Sequence, residues 1–257
     1  MTESASRIRL VLAPLILGIV VLVAWQAAVV GLGIKPFVLP SPLAISDQFG
    51  KAISSIVSGI RVTGTNALLG LLIGSVVGII AAIVAALVRV FDQLTFPIIT
   101  AAAVVPIVAL APVLYTMFGA SVETGRILVA ALAVFIPMYV NTLRGLRNAR
   151  PVHRDLMTAY SASAWQSTRT VTLPGALPFV FTGLRIASSL SVISALIAEY
   201  FGGPIGGLGK SITSSAASSN YALAYAYVLG AIMLGLVFFC VTLALEKLAT
   251  RHRPSPA

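Results

Sequence analysis

At 257 residues the chain has room for several membrane crossings and their connections, but not for an added soluble domain of typical size, about 100 residues or more. Its mean hydropathy is +1.02, with 58% hydrophobic and 9% charged residues against roughly 25% charged in an average soluble domain, which excludes a soluble globular protein and sets a helical membrane protein of one domain, 1–257. The net charge of +10 and pI near 10.4 do not signal nucleic acid, because Lys and Arg gather at the ends of apolar runs, as orientation signals do.

Arg7 and Arg9 precede an uncharged run from Leu10 to Ile34. At about 25 residues it is too long for a signal-peptide core and long enough to span, so the first crossing is placed at about 10–32. In the next connection Ser41-Pro42 reads as N-cap followed by a first-turn proline. Ile45, Phe49, Ile53, Ile56 and Ile60 then follow at helical spacing, opposed by Asp47, Lys51 and serines. This predicts an external amphipathic helix, either on the membrane surface or against the bundle.

The second span, 64–88, carries Gly70, Gly74 and Gly78 on one face, a spacing that lets another helix approach closely. The third, 95–118, holds Pro97, Pro106 and Pro112. Each proline frees a backbone carbonyl that protein or water must satisfy inside a bilayer, so this helix is expected to face the interior or a pathway. A fourth span is placed at 126–143 between Arg126 and Arg144, and a fifth at 177–199 with Arg185 in its first third. The sixth, 221–245, begins with Tyr221, Tyr225 and Tyr227, which read as an interfacial belt.

Six spans put both termini on one side. With the N-terminus inside, the inner basic residues are Arg7, Arg9, Arg89, Arg144, Arg147, Arg150, Arg154, Arg169, Arg185, Lys247, Arg251 and Arg253, and the outer ones are Lys35, Lys51, Arg61, Arg126 and Lys210. Twelve against five favours cytoplasmic termini. The mostly polar stretch 155–174 then lies in the cytoplasm, inside a loop at 150–175. Pro151 suits the first turn of a short helix running to about Tyr160, and a second is expected from Ala164 until Pro174 stops it.

Several chemistries are unsupported. Cys240 has no partner for an intrachain disulfide, and His153 and His252 are too isolated to argue a metal site. No Ser/His/Asp set or carboxylate pair can be assembled at membrane depth, so no catalytic residue is named. Gly206-Gly207-Leu208-Gly209-Lys210-Ser211 ends like a phosphate-binding loop, but Pro204 stands where the first glycine is needed and no strand precedes it. A turn leading into the sixth helix is the better reading.

The cytoplasmic loop resembles the EAA motif of inner-membrane permeases of ATP-binding cassette importers, which reads Glu-Ala-Ala, then Gly, then Ile-x-Leu-Pro. Asp155, Leu156 and Met157 stand at the Glu-Ala-Ala positions, Ser161 at the glycine, and Val171, Leu173 and Pro174 at Ile-x-Leu-Pro. The nitrate, sulfonate and taurine type of these permeases is resembled further by Leu39-Pro40-Ser41-Pro42, by Pro106-x-x-Ala109-x-x-Pro112 with Phe118-Gly119, and by Trp165-Gln166. Leu173 to Pro178 leading to Gly183-Leu184-Arg185, and Ala198-Glu199 followed by Gly206 to Gly209, complete that series.

The resemblance implies a type I importer permease of six transmembrane helices with cytoplasmic coupling helices, in a bacterial-type cytoplasmic membrane. It implies a second permease subunit, by default an identical copy, two cytoplasmic ATP-binding subunits that hold ATP and Mg, and an extracytoplasmic substrate-binding protein. The chain itself would need no cofactor. Asp155, Leu156, Met157, Tyr160, Ser161, Ala162, Trp165, Leu173 and Pro174 would form the ATPase-coupling interface. Pro106, Ala109, Pro112, Arg185 and Glu199 are the candidate pathway or gate residues, with snorkelling for Arg185 and a headgroup-level position for Glu199 as the plain alternatives. A self-sufficient carrier or channel is the rival reading, and the substrate is not legible.

Overall fold

The computed structural model describes residues 2–119, 122–149, 151–202 and 206–250. Arg150, Pro204, Arg251, His252 and Arg253, which entered the sequence reading, lie outside them. Among the described residues the secondary structure is entirely helical. Five continuous segments are long and apolar enough to cross a membrane: Leu12–Gly31, Ile53–Leu87, Thr124–Arg147, Ala164–Tyr200 and Tyr221–Ala249.

Helix α1 (Thr2–Gly31) meets the rest of the chain chiefly near its end, where Val29 is buried and Gln26 Oε1 accepts the Leu43 N–H at 3.2 Å. Helix α2 (Pro42–Lys51) begins as the sequence predicts, with the Ser41 hydroxyl accepting the Ala44 N–H and Pro42 in the first turn. Ile45 is buried in the main core with Leu234, so α2 lies against the bundle and not on a lipid surface.

The amphipathic stripe does not stay on one helix. A break at Ala52 ends α2, and Ile53, Ile56 and Ile60 belong to α3 (Ile53–Leu87). At 1.5 Å per residue, these 35 residues reach about 52 Å, well beyond the ~30 Å thickness of a hydrocarbon core. The glycine row on α3 is a packing surface: a Cβ at Gly74 would meet the Ala131 carbonyl and stand 2.7 Å from Val134 Cβ, and one at Gly78 would stand 2.9 Å from Met138 Cβ.

Those contacts fall on α6 (Thr124–Arg147), the centre of the fold. Its other side packs as closely on α9 (Leu173–Tyr200), where a Cβ at Gly145 would lie 2.8 Å from Phe179 Cβ and one at Gly183 would lie 3.0 Å from Asn141 Cβ. Small residues here replace the hydrophobic drive that lipid cannot supply between helices. Helix α11 (Tyr221–Thr250) covers α3 and α9, and Tyr227 is buried in the core and not in an interfacial belt.

The expected third span is not one helix. Helix α4 (Arg89–Val104) ends at Val105, a 3-10 turn covers Ile107–Leu110, and α5 (Ala111–Phe118) ends at Gly119 with φ +92°. Pro106 explains the first break, since a proline pushes its predecessor out of the helical region and Val105 has ψ 128°. Pro112 sits in the first turn of α5, where it costs no hydrogen bond.

Candidate functional site

The loop at 150–175 begins with α7 (Pro151–Ala159), which buries no side chain. Its end is a Schellman turn: the Ala162 N–H donates to Met157 O at 3.0 Å and the Ser161 N–H donates to Thr158 O at 2.9 Å. Ser161 takes φ +51°, the left-handed conformation usual for glycine, so the bend is made in full despite the missing glycine. Two residues later Ser163 caps α8 (Ala164–Ser167) reciprocally, its hydroxyl accepting the Gln166 N–H while the Gln166 side chain accepts the Ser163 N–H.

Pro174 does not stop the second helix. Thr168–Thr172 form a π turn, with the Leu173 N–H donating to Thr168 O, and the chain continues into α9 as one run. A proline has no N–H to offer the preceding turn, and the wider turn absorbs that loss. Tyr160 is 77% exposed, Trp165 66% and Leu156 53%, so the loop offers large apolar side chains that stand uncovered among the described residues. Asp155, Ser161 and Leu173 are exposed too, whereas Met157, Ala162 and Pro174 are half-buried.

The end of α6 that leads into the loop is fastened to its neighbours. Arg147 Nη2 lies 2.8 Å from Asp92 Oδ2 and donates to Ala85 O, joining α6 to α4 and to the end of α3. Arg185 pairs with Glu246 at 3.2 Å across α9 and α11.

At the opposite end of α9 the structure assembles a group of residues that sequence spacing did not connect. Glu199 is fully buried, and so is Arg126 in the first turn of α6. The Thr63 hydroxyl of α3 donates to Glu199 Oε1 at 2.9 Å and accepts the Leu208 N–H at 2.9 Å. The Gly209 N–H, in the first turn of α10 (Leu208–Ala217), donates to Glu199 Oε2 at 2.7 Å, so the carboxylate sits at a helix N-terminus. Arg126 Nη1 is 3.9 Å from Glu199 Oε1 and 2.8 Å from Glu123 Oε2, which also accepts from Asn66 Nδ2 at 2.7 Å.

A Cβ at Gly207 would overlap the Glu199 carboxyl group, and one at Gly209 would overlap Leu196 O. The glycines of the Gly-Gly-Leu-Gly segment are therefore what lets the backbone close on a carboxylate. Tyr115 OH donates to Ala198 O at 2.9 Å and so ties α5 to the same corner. Pro106, Ala109 and Pro112 lie exposed along the broken segment. Glu199 stands out in the sequence as a lone carboxylate at the end of an apolar run, whereas for Thr63, Asn66, Glu123 and Arg126 the one legible signal is the Glu123–Arg126 spacing at the start of another.

Residues 74–253 match the family described as binding-protein-dependent transport system inner membrane component. The riboflavin transport system permease protein of Chloroflexus aurantiacus is 35% identical over 91% of this chain and 87% of its own length. The taurine transport system permease protein of Escherichia coli is 28% identical over 93% and 87%. Among solved structures, an amino acid ABC transporter crystallised with histidines superposes with a TM-score of 0.59 at 16% identity, covering 77% of this chain and 92% of that one, which is a likeness of fold.

Proposed function

The chain belongs to the family of binding-protein-dependent transport system inner membrane components, and on that premise we propose that it is the permease subunit of an ATP-driven importer, forming the pathway for a small solute delivered by a binding protein. It is a multi-pass inner-membrane protein of the type I permease fold, in a family whose members are not catalysts. Two copies of the chain enclose the pathway, with α4, the 3-10 turn and α5 completing a sixth crossing in each. Both termini face the cytoplasm, and two ATP-binding subunits carry the nucleotide and its Mg.

The observation that carries the mechanism is the loop built on Ser161. Two short helices joined by a fixed bend present Leu156, Tyr160 and Trp165 to solvent, and the second runs unbroken into a spanning helix. Exposed aromatic and aliphatic side chains on a rigid knob suit a groove on a partner, where a few buried anchors carry most of the binding energy. Rigid-body closure of the ATPase subunits around that knob then moves the helices.

Co-purification tests this reading. An ATPase subunit should remain bound in detergent, and Trp165→Ala or Leu156→Ala should weaken its retention by about 30-fold, the loss expected for a hot-spot side chain. Import by the purified chain alone in liposomes would overturn it in favour of a self-sufficient carrier. The named solutes of the two relatives, riboflavin and taurine, are both small organic molecules, and the binding protein is the chain in which to look for the choice between such solutes.

A further inference from the structure

The helical run Ala164–Tyr200 is long and apolar enough to cross a membrane. Its 37 residues reach about 55 Å at 1.5 Å per residue, from the exposed Trp165 of the coupling loop to Glu199 in the outer corner. Along the way it is held to α6 by two positions without a side chain, Gly145 and Gly183, so the pair cannot separate without opening tightly packed backbone.

We infer that Glu199 is a positioning residue that makes the outer helix α10 follow α9, so that movement entering at the coupling loop is delivered to the outer face of the transporter. The inference rests on the coupling-loop reading above and adds an output end to it. Two attachments hold the start of α10. Leu208 is an apolar plug in the core against Gly59 and Gly230, a contact without directional bonds. Glu199 is directional: it takes the Gly209 N–H on one oxygen and the Thr63 hydroxyl on the other, and that hydroxyl also holds the Leu208 N–H.

A carboxylate suits this task because the first N–H groups of a helix have no partners of their own and the helix dipole favours negative charge there. An apolar side chain in its place would leave those donors buried and unsatisfied. The close approach of Gly207 and Gly209 leaves the carboxylate no alternative position, so a shift of Tyr200 and its neighbours has to shift α10 as well. Arg126 and Glu123 extend the grip to α6, and Thr63 extends it to α3, which gathers the outer ends of three spanning helices on the one group.

The test uses the full complex of permease, ATPase subunits and binding protein in liposomes. Cys240 is replaced by Ser, and Ser214→Cys on the exposed side of α10 reports reaction with a membrane-impermeant maleimide, before and after vanadate trapping with ATP. Labelling should change on trapping with Glu199 present and with Glu199→Gln, whose amide keeps one acceptor oxygen for the Gly209 N–H and can donate its N–H to the Thr63 hydroxyl oxygen. Glu199→Ala should lose that change, and import per ATP hydrolysed should fall about tenfold. Thr63→Val is read in the same way, so the test stands if Glu199→Ala does not fold. Leu208→Ala, a purely packing change, should lower the melting temperature and leave import per ATP intact.

A trapping-dependent change and an import ratio that both survive Glu199→Ala and Thr63→Val would overturn the proposal. So would an importing complex with Glu199 and Thr63 intact in which labelling at position 214 ignores trapping. A chain that recruits no ATPase at all would instead bring down the coupling-loop reading on which the proposal rests.

Discussion

Thr63 and Glu199, 136 positions apart, meet hydroxyl to carboxylate at 2.9 Å where both side chains are fully buried. The hydroxyl both donates and accepts, so its removal strands two groups at once. Thr63→Val keeps the shape and loses the oxygen, leaving the Leu208 N–H without its partner and the carboxylate short of a donor. A cost of about 1–3 kcal/mol is expected from the unsatisfied groups. Thr63→Ser keeps the oxygen and should lie within about 1 kcal/mol of wild type, the worth of the lost methyl group. Thermal unfolding in detergent separates the two, and equal melting temperatures would show that the hydroxyl is not what holds this corner.

Gly74 faces the Ala131 carbonyl so closely that any side chain must move α3 away from α6. Gly74→Ala should therefore cost about 1–3 kcal/mol by overpacking, even though alanine favours helix. Gly18→Ala on α1 and Gly235→Ala on α11 have nothing within 4 Å of the new Cβ and should stay within about 0.5 kcal/mol of wild type. Yield and melting temperature of the purified protein rank the three, and a Gly74→Ala protein as stable as the controls would contradict this packing.

What the sequence disclosed follows from the range of the interactions involved. Apolar runs, the Ser41-Pro42 helix start and the glycine spacing on α3 are local patterns, and each reappears as a helix, a cap or a close approach. Pro106 and Pro174 look alike in sequence and behave differently. The first breaks its segment at Val105, while the second is absorbed by the π turn of Thr168–Thr172, a choice that depends on what packs around the turn. The Glu199 cluster was least legible, because Thr63, Arg126, Glu199 and Gly209 come from four helices and no periodicity links them. The charge of Glu199 was visible; its burial was not.

Arg185 and Glu246 join α9 to α11 at 3.2 Å, but the Arg185 side chain is 35% exposed and the pair is screened accordingly. A double-mutant cycle with Arg185→Gln and Glu246→Gln should return a coupling energy of about 0.2–1 kcal/mol. A larger value, measured by unfolding in detergent, would mean that the pair is shielded more than its exposure indicates.

Ser161 holds φ +51° at the turn between α7 and α8, a conformation that costs an ordinary residue about 1–2 kcal/mol. Glycine removes that cost but adds about 0.4–1 kcal/mol of freedom to the unfolded chain. Ser161→Gly should thus stabilise the turn only slightly. Ser161→Val, β-branched at positive φ, should destabilise it by more than about 1 kcal/mol. Because α7 buries no side chain, the effect belongs to the loop and not to global melting. Amide hydrogen exchange at Ser161 and Ala162 is the measurement, since their N–H groups close the turn onto Thr158 and Met157. Protection should rise slightly with glycine and fall with valine. It should stay unchanged beyond Ser163, where the reciprocal cap with Gln166 starts the next helix independently. Equal protection in all three proteins would show that the left-handed residue is not what sets the bend between α7 and α8.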